Sequence, residues 1–139
     1  MFRKIVVSRQ PTDGRRRRWY QSDYFDLFIW YVKHPDAPDP ALRNEIVGMQ
    51  LCYDTRGRQR ALEWHKLRGF THHRVNKASD SMVDHGAGSA ALSAGGDLDI
   101  DQVLPRFVRH GSSLPPIVRD FVMARLADYA REKHLDSGG

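Results

Sequence analysis

The sequence predicts an α+β fold: an antiparallel meander sheet of four to five strands with a C-terminal helix packed on it. Three observations lead there. Short segments rich in aromatic and β-branched residues recur between turn-forming residues in the first half of the chain. A turn at Thr55-Arg56-Gly57-Arg58 joins two of these segments in a consistent register. The C-terminal segment repeats apolar positions at helical spacing.

Residues 1–15 read as an N-terminal arm. Its apolar trio, Ile5-Val6-Val7, is far shorter than the ~7–15 residues of a secretory core segment. The run Arg15, Arg16, Arg17 and Arg18 is followed by Trp19-Tyr20-Gln21-Ser22-Asp23, too polar for an export signal, so the whole chain is read as mature protein. Residues 16–139 read as one domain. Arg16 to Gln21 suits an edge strand, and Tyr24 to Val32 a strand. Lys33 to Asn44 holds Pro35, Pro38 and Pro40 and is expected to be a loop. Glu45–Asp54, Arg60–Lys66 and Phe70–Val75 complete the strand series. Ala, Gly, Ser and Asp supply 17 of the 22 residues at 78–99, too few apolar groups to offset ordering, so this stretch reads as a flexible insertion. Leu98 to Gly111 reads as a short helix interrupted or initiated at Pro105. A longer helix follows, capped by Ser112 or Ser113, with Pro115 and Pro116 in its first turn, ending near His134.

The hairpin defines two faces. A two-residue turn at Arg56-Gly57 pairs Tyr53 with Arg60, Leu51 with Leu62 and Met49 with Trp64. The opposite face then pairs Cys52 with Ala61, Gln50 with Glu63 and Gly48 with His65. A one-residue slip would set Leu51 beside Glu63, so the pattern selects this register. In the preceding strand Phe25, Leu27, Ile29 and Tyr31 form the core face, and Asp26, Phe28 and Trp30 point the other way. Asp26, Trp30, Gln50, Cys52, Glu63 and His65 thus share a mixed aromatic and polar face, the kind of surface that suits a small ligand. On the C-terminal helix, Val118, Phe121, Val122 and Tyr129 cluster, with Ile117 and Leu126 flanking. Arg125 falls within this stripe and is expected to reach Glu63 or Asp26.

Composition bounds the chemistry. With 139 residues, 40% hydrophobic and 28% charged, the chain suits one soluble, cytoplasmic domain and no membrane span. The net charge of +5 is concentrated in residues 1–75, where 15 basic residues face 8 acidic ones. The single cysteine, Cys52, excludes an intramolecular disulfide framework, and the seven histidines match no zinc spacing, so neither metal nor cofactor is expected. No phosphate-binding loop follows a strand.

The series Asp26-Leu27-Phe28-Ile29-Trp30, Gln50-Leu51-Cys52-Tyr53-Asp54, Ala61-Leu62-Glu63-Trp64 and His72-His73-Arg74-Val75 resembles a group of small bacterial proteins of uncharacterised activity. That resemblance implies no catalytic residue. The function expected from the sequence is a small non-enzymatic binding domain. Its site is Asp26, Trp30, Gln50, Cys52, Glu63, His65 and Arg125, and its partner a small ligand or a protein. The alternatives are nucleic-acid binding through Arg15–Arg18 and acid/base catalysis by Asp26, Glu63 and His65.

Overall fold

The computed structural model describes residues 1–5, 14–40, 43–75, 92–94 and 98–137. Among the described residues, seven strands form one antiparallel sheet in chain order. They are β1 (Arg3–Ile5), β2 (Arg16–Gln21), β3 (Phe25–Lys33), β4 (Asn44–Tyr53), β5 (Arg60–His65), β6 (Gly69–Val75) and β7 (Leu92–Ala94). Helix α1 (Ile100–His110), a 3-10 turn (Gly111–Ser113) and helix α2 (Pro116–Ser137) follow. The five expected strands are β2 to β6, and the fold is the expected α+β meander with C-terminal helices. The sheet is extended at both edges. β7 comes from the stretch read as a flexible insertion, pairing Ala94 with His73 and Leu92 with Val75. Main-chain pairing of this kind asks little of composition. Residues 78–91 and 95–97 of that stretch lie outside the described residues.

The β4–β5 register is the expected one, from Gly48–His65 to Tyr53–Arg60. The turn itself is wider. The Gly57 N–H donates to the Asp54 carbonyl at 3.0 Å, and Asp54, with φ 54°, takes the left-handed conformation in place of Gly57. Aspartate tolerates that region better than most residues. A Cβ at Gly57 would meet the Asp54 Oδ1 at 2.6 Å, so the Asp54 carboxylate would have to turn aside for any larger residue there. The β5–β6 hairpin is tighter. The Arg68 N–H donates to the His65 carbonyl at 3.1 Å, and Gly69 at φ 77° closes the turn.

Both helices pack on one sheet face. Phe25, Leu27, Ile29, Met49, Leu51 and Leu62 meet Val103, Phe107, Leu114, Val118, Val122 and Leu126 in a single core. Each such side chain contributes about 1.5–3 kcal/mol of burial. Phe2, just ahead of β1, plugs this core, its ring centroid 5.7 Å from that of Phe25 and 5.8 Å from that of Phe107. Three helix expectations are corrected. Helix α1 runs through Pro105 rather than starting or breaking there. The carbonyl that Pro105 cannot bond, that of Asp101, belongs to the exposed side of the helix. Ser113 does not cap α2, because its Oγ donates to the Phe2 carbonyl at 2.8 Å, and the helix opens with the Arg119 N–H on the Pro115 carbonyl. Ile117 is 78% exposed, while Leu126 is fully buried at the centre of the docked stripe.

Candidate functional site

The other sheet face carries the mixed residues, and the register sets them in rows. One row across β2 to β6 reads Arg17, Trp30, Gly48, His65, Gly69. The next reads Trp19, Phe28, Gln50, Glu63, Thr71, and the third Gln21, Asp26, Cys52, Ala61, His73. A second apolar cluster, Phe28, Trp30, Cys52 and Ala61, lies within this face, with Trp19 and Val47 packed on it. A bulge opposite the Trp30–Tyr31 step leaves Val47 without a partner on β3 and shifts the register.

At the Gly48 end of the rows the face opens into a hollow of about 140 Å³, lined among others by Trp30, Gly48, Glu63, His65, Arg15 and Arg68. Glycine makes this space. A Cβ at Gly48 would sit 3.5 Å from the Trp30 Cβ and 3.7 Å from its ring, in ordinary contact, so a larger side chain there would fill the floor. Glu63 is steadied by the Thr71 hydroxyl at 3.5 Å. The Leu67 N–H donates to the His65 Nδ1 at 3.1 Å, which leaves the proton of the neutral ring on Nε2. Partial burial, with the charges of Arg68 and Arg15, lowers the pKa of His65 below its ordinary value.

Three expected residues, Trp30, Glu63 and His65, meet at this hollow; the other four do not. Gln50 and Cys52 are buried within the sheet, the Gln50 Nε2–H donating to the Cys52 Sγ at 3.4 Å. Burial pushes the Cys52 thiol up to about 12, so it holds its proton and is a poor nucleophile. Asp26 lies one row beyond Gln50, where its Oδ1 accepts from the Trp19 indole at 2.9 Å and from Gln21 at 3.0 Å. Two strand spacings and two residues separate Asp26 from Glu63, on the order of 12 Å. Arg125 is a correction. It sits on the helix side of the sheet, away from both Asp26 and Glu63. Its guanidinium pairs with Asp128 at 2.9 Å and lies 5.2 Å from the Trp64 ring centroid and 5.1 Å from that of Phe121.

The arginine run splits as strand alternation requires. Arg17 is buried on the mixed face, Arg15 reaches the hollow, Arg18 lies 4.7 Å from the Tyr31 ring centroid on the core side, and Arg16 alone of the four is exposed. Gly48, Arg68 and Thr71 were not singled out from the sequence. A glycine inside an otherwise bulky strand was the available signal for the first.

Two larger hollows are lined by described residues. One, about 630 Å³, follows the loop after β3, where Glu45 is already paired with Lys66 and His34. The other, about 510 Å³, is lined by Arg3, Gln21, Asp26, Arg56 and Gln59, among others. Neither brings an aromatic wall and a histidine together. No three or more His, Cys, Asp or Glu side chains among the described residues are grouped to hold a metal, and no described helix is long and apolar enough to cross a membrane. Comparison with protein-family models, curated proteins and solved structures finds no match for this chain.

Proposed function

We propose that the chain is a non-enzymatic domain that binds a small ligand in the hollow over Gly48. The observation that carries this reading is the missing side chain at Gly48, which opens a floor between an aromatic wall, Trp30, and the polar pair Glu63 and His65. A buried, protonated Cys52 and an Asp26 held by Trp19 and Gln21 favour binding over catalysis.

The test is an NMR screen of a small-metabolite library against the full chain and its Gly48→Ala variant. The alanine fits without clash, so the variant should keep its melting temperature within a few degrees and lose the ligand. A ligand that binds both forms equally would refute the site. Nucleic-acid binding that is lost on replacing Arg15–Arg18, with no small ligand in the hollow, would replace the reading altogether.

A further inference from the structure

We infer that the hollow over Gly48 takes a small oxyanion, the carboxylate or phosphate group of its ligand, between Arg15 and Arg68, with the His65 Nε2–H as a further donor. This rests on the binding-site reading above. Three observations support it. Arg15 from the arm and Arg68 from the β5–β6 turn converge on one small space that also holds Glu63. With His65 neutral, that lining carries two cations and one anion, an excess of one positive charge. Planar guanidinium groups match the geometry of carboxylate and phosphate oxygens better than any other side chain.

The neutral imidazole adds direction. Its Nδ1 is taken by the Leu67 N–H, so Nε2–H is the donor that remains. Gly69, at φ 77° with nothing within 4 Å of its would-be Cβ, leaves the rim beside His65 open. At about 140 Å³ the hollow is far smaller than the hollows of about 630 and 510 Å³ elsewhere on the surface, and that suits a small headgroup.

The experiment titrates the full chain with inorganic phosphate, sulfate and acetate at constant ionic strength. It follows the Gly48 and Gly69 amides and the His65 ring by NMR. Saturable shifts confined to these groups are expected. Arg68→Gln, at an exposed turn position, should weaken binding about tenfold or more, as loss of one charge-assisted contact does. Saturation should also raise the pKa of His65, because an anion beside the ring favours its charged form. Tighter saturation by acetate identifies a carboxylate ligand, and by phosphate a phosphorylated one. Shifts that stay linear in concentration, or that Arg68→Gln leaves unchanged, overturn the oxyanion site. If neutral library compounds bind at the same amides while oxyanions do not, the oxyanion assignment falls and the binding reading stands. If neither binds, both fall.

Discussion

Cys52 and Arg125 show how far a residue's neighbours decide its chemistry. Cys52 sits between Asp26 on β3 and Ala61 on β5, with no exposed surface, and its thiol is pushed up to about 12. It should therefore be silent to a thiol reagent in the native state and react at an ordinary rate in denaturant. Rapid native labelling would contradict its burial. Arg125 satisfies its charge within its own helix and stacks its guanidinium near Trp64 and Phe121. A double-mutant cycle of Arg125→Met with Asp128→Asn should give a coupling of about 0.3–1 kcal/mol, as for other partly exposed pairs. The cycle with Glu63→Gln should give zero within error, since that carboxylate lies across the sheet. Coupling to Glu63 above error would mean the guanidinium reaches through to the mixed face.

At the level of elements, the joint between the end of α1 and the β2–β3 turn is polar and titratable. The Ser22 Oγ accepts the Phe25 N–H at 3.1 Å, leaving its own proton for the His110 Nδ1 at 3.0 Å. Phe25 and Tyr24 pack around the same imidazole. Burial, then the N-terminal amino group and Arg109, lowers the pKa of His110, and Asp23 opposes them. Between that folded-state value and the ordinary 6.5, the unfolded chain binds more protons than the folded one. Stability is therefore full above about 6.5 and declines as the pH falls toward the folded-state value. His65, also lowered, acts in the same direction. Urea unfolding at pH 7.5 and 5.5 should show the loss on acidification, and His110→Gln should flatten it. An unchanged slope in that variant would place the pH dependence elsewhere.

For the molecule as a whole, stability rests on one sheet face covered by two helices, and the two aliphatic residues flanking the predicted stripe separate its docked and free sides. Leu126 is fully buried in the core, whereas Ile117 faces solvent. Leu126→Ala should cost about 2–5 kcal/mol, and Ile117→Ala should stay within ~0.5 kcal/mol. Similar losses from both, read by urea unfolding, would mean that α2 docks at a different angle. The docking direction also explains why Arg125 cannot meet Glu63. The helices take the face of Leu27, Leu51 and Leu62, and the mixed face is left to carry the hollow.

The strand series and the β4–β5 register were legible in the sequence, because side chains in a strand alternate with period two and a slip of one residue would bury Glu63 in place of Leu62. The same alternation separated Arg15 and Arg17 from Arg16 and Arg18. It also put Trp30, Glu63 and His65 on one face. Local periodicity carries no information about which face a helix will cover, so the partner of Arg125 was decided only when α2 docked. The edge strands β1 and β7 depend on main-chain pairing across the sheet, which leaves little trace in composition. The hollow needed more still: Gly48, Arg15 and Arg68 are far apart in the chain, and only the lateral order of the strands brings an absent side chain and two guanidinium groups to the same place.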